Sequence, residues 1–540
     1  MIKYMLLRIV LVSVLMLGIL FMYVPYTASA STTVIDLGDY DETIDIINAI
    51  HAALSTGDVT VMGTYNPAAP NTNEYLTLDI PSGRTVYWNA EFTLTTSYMT
   101  GINIYCWPGS ANFIVGTGAD IDVTSSIGTG LYIDSLNVTI NGGAIKATGN
   151  INGINNMQNG ILNVNGGTVG AESTGVGSNS SGIHNAGTIN LSGGSITVSG
   201  REGINNSSSG TINVNSGGTV DATGSGGNDG YGINNSGSLN INGGTVEAKS
   251  TGTVSNSFGI NNKQTATIDI KNAVTVNAEG NSSGIRNHDG GTINIDGGTI
   301  YAIATGTVEI SGTAVSSGFS IFNLGGSLSV NGGTVNATGF VTGVNSSGIY
   351  NGNGLLNVNG GTITAIGDRA GIYNIAGYIT IDGGNVNATA TSISSNSDGI
   401  YNDGPLAISG GTVNATGVGT GIYNTLATLA ITGGTITANA TTGQAFNFDP
   451  LPDVIQGNFQ WELGSDASNI TSSGFHPTPN PFVYANEEWV KIHFINSGGG
   501  GSTGGGSTGG RAVRAGSEPL RALLPRARRS AHGLLSPAHR

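Results

Sequence analysis

The chain reads as an all-β protein, a single-stranded parallel β-helix with three short strands per coil. Three observations predict it. The first is a repeat in which apolar residues alternate with Asn, Thr and Ser around a Gly-Gly pair, as in GSLNINGGTVEAKS (residues 237–250), GLLNVNGGTITAIG (354–367) and GPLAISGGTVNATG (404–417). Period-2 alternation marks a half-buried strand, and a pair of glycines marks a turn that needs φ > 0. The second is a shorter signature, G-I-x-N, ahead of each copy, for example at Gly232, Gly348 and Gly399. The third is spacing. The interval from G-I-x-N to the Gly pair is nearly constant, while that from the T-V-x-A segment to the next G-I-x-N varies, so insertions enter at one corner only. Self-similarity at this period signals a solenoid whose repeats bury their apolar faces against one another.

Taken in order, residues 1–30 carry Lys3 and Arg8, an apolar run from Ile9 to Tyr23 and the small-residue pattern Ala28-Ser29-Ala30. They are expected to be a secretory signal peptide cut after Ala30, which places the chain outside the cell, secreted or on a bacterial surface. Residues 31–74 are expected to form an N-terminal cap. In DETIDIINAIHAAL, Ile44, Ile47, Ile50 and Leu54 fall at helical spacing, giving an amphipathic helix over the open first coil. His51 beside that stripe lacks metal-binding neighbours and reads as structural. Residues 75–440 form the β-helix, with roughly three irregular entry coils before residue 137. Cys106 is the single cysteine, expected as a small buried hydrophobe beside Trp107.

Residues 441–496 hold Phe446, Phe448, Phe459, Trp461, Phe475, Phe482, Tyr484, Trp489 and Phe494 and read as an aromatic-rich C-terminal cap. Residues 497–510 are a Gly/Ser/Thr linker, a random coil of ~20 Å span. Residues 511–540 carry seven arginines and one acid and read as a basic tail of non-native origin. The whole chain has 18 basic and 33 acidic residues, a net charge of −15. That excess of acid excludes nucleic acid as a partner of the repeat region, and the mature chain is not expected to span a membrane.

Equivalent letters in successive copies are expected to stack, so two columns follow from G-I-x-N. The final Asn points inward at a turn and recurs as Asn156, Asn185, Asn206, Asn235, Asn262, Asn287, Asn323, Asn351, Asn374, Asn402 and Asn424. Such a column is expected to bond its amides coil on coil. The preceding slot points outward. It reads Asn155, His184, Asn205, Asn234, Asn261 and Arg286, then Phe322, Tyr350, Tyr373, Tyr401 and Tyr423. Five stacked aromatics on one exterior line suit the apolar faces of sugar rings, and equally shield the strand edges and one another.

With those residues in view, the chain resembles the pectin-lyase-like superfamily of right-handed parallel β-helices. Within it, the G-I-x-N and GGT-[VI] repeats are similar to those of secreted, adhesin-like bacterial surface proteins. The resemblance covers residues 75–439 and implies a right-handed coil. Lyases of this fold use clustered acids on Ca²⁺ with a basic proton acceptor, and its hydrolases use closely spaced aspartates. Neither pattern carries over. In the column before the Gly pair, Asp296 and Asp382 stand three coils apart, ~14 Å at the spacing of β-strands, too far to share a calcium ion. Basic residues (Lys146, Arg201, Lys249, Lys263, Lys271, Arg286 and Arg369) are isolated, and Arg286, His288 and Asp289 read as a solvated turn. The GGNDG run at 226–230 is a single copy and carries no calcium argument.

A second exterior column, Thr168, Ser195, Thr219, Thr245, Thr299, Thr334, Thr362, Thr412 and Thr435, raises an ice-binding reading. Lys146, Asp221, Glu247 and Tyr301 in the next slot interrupt it. The function expected is a non-catalytic, adhesin-like binder of carbohydrate or of a host or neighbouring cell surface, with no cofactor and no metal. The alternative is a polysaccharide lyase or glycoside hydrolase with its site in the irregular coils between Arg84 and Asp134.

Overall fold

Alternation in sequence converts directly into alternation of burial. In the strand Leu355–Val358, Leu356 and Val358 are buried while Leu355 and Asn357 face out, and in Thr362–Gly367 Ile363 and Ala365 are buried beneath an outer row of Thr362, Thr364 and Ile366. A computed structural model describes residues 32–495, apart from 68–72, 227–228, 254–255, 307–317, 340–345, 395, 426–427, 449–454 and 477–486. The expected signal peptide, linker and basic tail lie outside the described residues, as do Phe482 and Tyr484.

The strands stack in parallel, each on its equivalent in the next coil, into a right-handed solenoid of about 15 turns. Sheet 1 runs from Thr33–Asp36 to Leu429–Ile431, sheet 2 from Thr64–Tyr65 to Thr435–Ala440, and sheet 3 from Leu76–Asp79 to Gln444–Phe448. Register follows the repeat without slippage: Ile349 lies beside Ile372, then Ile400, then Ile422. Continuous columns of Ile, Val, Leu and Ala fill the interior, each fully buried large side chain contributing about 1.5–3 kcal/mol. The variable corner joins sheet 2 to sheet 3. There Arg201 alone separates Gly200 from Glu202, whereas seven residues separate Ser173 from Ser181.

The Gly-Gly corner joins sheet 1 to sheet 2. Gly361 has φ +70°, and a Cβ on it would stand 2.7 Å from the backbone of Gly332 and Gly333 in the coil beneath. Gly361→Ala is therefore expected to cost on the order of 2 kcal/mol in stability, read as a lower urea midpoint; an unchanged midpoint contradicts this account of the corner. The degenerate copy solves the same problem differently, with Asn272 at φ +60°, the residue type that best tolerates the left-handed region after glycine.

Helix α1 (Thr43–Leu54) forms where expected, but its buried face is turned. Ile46, Ile47, Ile50 and Leu54 are buried and Ile44 is 49% exposed. At 3.6 residues per turn Ile44 lies ~120° round the helix from Ile50, so Ile46 takes the place assigned to it. His51 is structural: its Nε2 accepts a hydrogen bond from the Asp79 amide at 3.0 Å, tying α1 to sheet 3. Cys106 is buried and Trp107 exposed. Parallel pairing starts early, since Thr33–Asp36 already pairs with Val59–Met62, and it continues past residue 440 to Gln444–Phe448. Three antiparallel strands then follow, Phe459–Asp466, Asn469–His476 and Trp489–Phe494, the last pairing with Thr435–Ala440. Phe446, Phe448, Phe459, Trp461 and Trp489 are buried there, while Phe475 stays half-exposed.

Candidate functional site on the outer face of sheet 3

The inward Asn of G-I-x-N builds an unbroken amide ladder. Asn156 Nδ2 donates to Asn185 Oδ1 at 2.8 Å, and the same bond runs on through Asn206, Asn235, Asn262, Asn287, Asn323, Asn351, Asn374 and Asn402 to Asn424 at 2.6–2.8 Å. From Asn185 on, each amide also caps the turn that follows it, as when Asn351 Nδ2 donates to Gly354 O at 3.2 Å. The ladder begins above Ile133 and ends below Phe448, apolar residues that occupy the same register position. Asn156 Oδ1 consequently has no partner among the described residues.

Because Ile and Asn of G-I-x-N face in, the residue between them faces out, and the ladder fixes its position coil by coil. Phe322, Tyr350, Tyr373, Tyr401 and Tyr423 occupy consecutive register positions. Their ring centroids are 5.1, 5.8, 4.6 and 5.3 Å apart. Tyr373, Tyr401 and Tyr423 stack at interplanar angles of 28° and 18°, while Phe322, Tyr350 and Tyr373 are tilted against one another at 49° and 36°. The faces expected to be open to a ligand are thus partly covered by the neighbouring rings. What the half-exposed row offers outward is ring edge, part of each face and the phenol hydroxyls. Burial pushes the hydroxyl pKa of Tyr350, Tyr373 and Tyr401 up, so they stay neutral donors.

The row is longer than its repeat slot. Tyr231 and Phe258 precede the glycine of their G-I-x-N motifs, Phe319 precedes Ser320 at the equivalent position, and all three reach the same outer face. Tyr231 stacks on Phe258 at 5.7 Å, and Phe319 lies 5.3 Å from Phe322 and 4.6 Å from Tyr350. Arg286 is no solvated turn residue. Its guanidinium lies 5.0 Å from the Phe258 ring centroid and 6.0 Å from that of Phe322. Of its expected companions, Asp289 is exposed and His288 is buried, the two paired at 2.7 Å. Arg369 sits likewise 4.5 Å from the Tyr373 centroid and 5.3 Å from that of Tyr401.

Two acids lie buried along this face, and reading the repeat missed both. Glu202 is 4% exposed, with Oε1 accepting from Asn234 Nδ2 at 3.0 Å and Oε2 unpartnered. Burial raises its pKa to about 7 despite the pull of Lys263 and Arg201. Burial likewise raises that of Asp398, 4% exposed, to about 6 against Thr420 and Arg369. Both stand immediately before a motif glycine, at a position whose residue type varies from coil to coil.

The remaining candidate columns are stacked too. Asn331 Nδ2 donates to Asp296 Oδ1 at 2.8 Å and Asn359 Nδ2 to Asn331 Oδ1 at 2.7 Å, so the two interposed coils separate Asp296 from Asp382. The exterior of sheet 1 carries a second amide ladder that sequence reasoning did not find: Asn240, Asn213, Asn190 and Asn163 linked at 2.8 Å. On sheet 2 the threonine column stacks in register, and ion pairs Lys146–Asp122 and Lys249–Glu279 at 3.0 Å cross its neighbouring rows. Arg201 pairs with Asp229 at 3.0 Å, the residue of the GGNDG run. Among the described residues no group of three or more His, Cys, Asp or Glu gathers as a metal site, and no helix is long and apolar enough to cross a membrane. No family model, curated protein or solved structure matches the chain.

Proposed function

We propose that this is a non-catalytic β-helix binding protein, exported and displayed at a bacterial surface, whose row from Phe322 to Tyr423 holds a saccharide chain. The observation that carries the reading is five half-exposed rings, one per coil, in line on one face. A linear polymer meets such a row with one weak contact per coil, and several weak contacts on one rigid scaffold sum to useful avidity. Aromatic edges cover apolar sugar surface while the tyrosine hydroxyls bond sugar hydroxyls.

The Tyr373→Ala/Tyr401→Ala variant is expected to lose most of its binding on a glycan array while keeping its melting temperature within a few degrees. Unchanged binding removes the reading. Carbohydrate cleavage is a second reading with one observation in its favour, the buried carboxyl of Glu202, whose raised pKa suits a general acid near neutral pH. It places the acid on sheet 3, away from residues 84–134. Release of reducing ends or unsaturated product from a polysaccharide panel, lost in Glu202→Gln, decides for it.

A further inference from the structure

The two arginines in the ring row are the unusual feature of this surface. In a chain of net charge −15, Lys146, Arg201 and Lys249 of the coils pair with Asp122, Asp229 and Glu279, each at 3.0 Å, while Lys263 lies near Glu202 without an ion pair to it. Arg286 and Arg369 make no ion pair among the described residues, and the Nε of each is buried without a partner. What holds them is aromatic: the Arg286 guanidinium lies over rings of the coils on either side of its own, and that of Arg369 over rings of two successive coils. Stacking fixes the plane of a guanidinium and leaves its in-plane N–H groups at the edge, the geometry that accepts a planar or tetrahedral oxyanion through two parallel bonds.

The carboxylates that bear on them are engaged elsewhere. Asp289 is held by His288, Asp229 by Arg201, Asp398 lies buried beside Thr420, and Asp403 accepts from Thr425 Oγ1 at 2.6 Å. The two arginines belong to coils three apart in sheet 3, since Arg286 pairs through Phe322 and Tyr350 to Tyr373, in the coil that Arg369 precedes. That sets the two coils ~14 Å apart along the solenoid axis.

We infer that Arg286 and Arg369 read anionic substituents, carboxylate or sulfate ester, on a saccharide chain lying along the aromatic row. The inference rests on the row being a saccharide site. It adds the class of saccharide: acidic, with charges recurring along the chain. The surrounding acids repel polyanions elsewhere on the surface. At physiological salt that repulsion is screened beyond ~8 Å, so attraction is confined to these two points.

The test uses three soluble polymers on one backbone: hydroxyethyl-cellulose, carboxymethyl-cellulose and cellulose sulfate. Each is titrated by calorimetry against the full chain and against Arg286→Gln/Arg369→Gln and Tyr373→Ala/Tyr401→Ala. The wild type is expected to bind at least one anionic polymer tenfold or more tightly than the neutral one. The arginine variant is expected to lose that preference and keep its neutral affinity. Binding confined to the carboxymethyl or to the sulfated polymer supports the inference for that group. Arg286→Lys/Arg369→Lys, which keeps the charge and loses the fork, is expected to fall between. Equal binding of all three polymers, or an anionic preference that survives in the glutamine variant, overturns the inference and leaves the row as a neutral-sugar site. No binding of any polymer, or binding unchanged in the tyrosine variant, overturns the inference together with the reading of the row.

Discussion

Replacing Asn351 with Ala is expected to remove on the order of 4 kcal/mol of stability, as is truncation of the equivalent Asn323, which makes the same bonds. Asn351 is fully buried, and its Nδ2 donates to Asn374 Oδ1 at 2.8 Å, to Gly354 O at 3.2 Å and to Tyr378 O at 3.2 Å. Its own Oδ1 accepts from Asn323 Nδ2 at 2.7 Å. Truncation strips Asn374 Oδ1 of its ladder donor and Asn323 Nδ2 of its ladder acceptor, each costing about 1–3 kcal/mol, and adds a small void; Gly354 O keeps the Tyr378 N–H at 2.8 Å.

Two comparisons separate hydrogen bonding from packing. Asn351→Asp keeps the volume and still accepts from Asn323, but sets a carboxylate against the same three oxygens, so it is expected to destabilise at least as much. Asn156→Ala, at the start of the ladder where one oxygen is already unpartnered, is expected to cost about half as much. In a solenoid each coil contacts only its neighbours, so the Asn351 variants are also expected to broaden urea unfolding as the coils on either side lose their coupling. A single sharp transition at the wild-type midpoint contradicts the structural role of the ladder.

What could be read before the structure was what repeats. The Asn column, the aromatic row and the Gly corner are each a fixed letter at a fixed offset, and parallel stacking in register turns an offset into a line in space. What escaped does not repeat. Arg369 lies in the variable corner, and Tyr231, Phe258, Glu202 and Asp398 stand just before the motif glycine, in a slot that changes from coil to coil. The packing there explains why the slot matters. A Cβ on Gly371, for example, would meet the backbone amide of Thr389 in sheet 2 at 2.3 Å, so the chain bends at the glycine and the residue before it takes an outer position. The turned face of α1 has another cause: spacing alone allowed either Ile44 or Ile46 as first member of the stripe, and only the contact with the sheets chose. The exterior ladder on sheet 1 was visible as letters, but alternation assigned those asparagines to solvent and did not prompt a search for bonds between them.

Glu202→Gln is expected to stabilise the protein at pH 8 by on the order of 3 kcal/mol and to change it little at pH 4. Burial raises the Glu202 pKa from 4.5 to about 7, which fixes the sign. Between those values the native state holds a proton that the unfolded chain has released, so native stability falls as pH rises through this window. Above pH 7 the folded protein carries a carboxylate that is 4% exposed, with one oxygen bonded to Asn234 and the other to nothing. Glutamine keeps the acceptor for Asn234 and removes the charge.

Asp398 acts in the same direction over a lower window, from 3.8 to about 6. Burial lowers the pKa of His184 and His288, and lowered histidines favour the native state as pH rises, so they oppose the two acids. The informative quantity is therefore the difference between variant and wild type at each pH, in which the histidines cancel. That difference, from urea denaturation at pH 4, 6 and 8, is expected to open between pH 4.5 and 7 for Glu202→Gln and below pH 6 for Asp398→Asn. A flat difference for Glu202→Gln means that the carboxylate finds water or a cation when ionised, and Glu202 then has no raised pKa to offer either stability or acid catalysis.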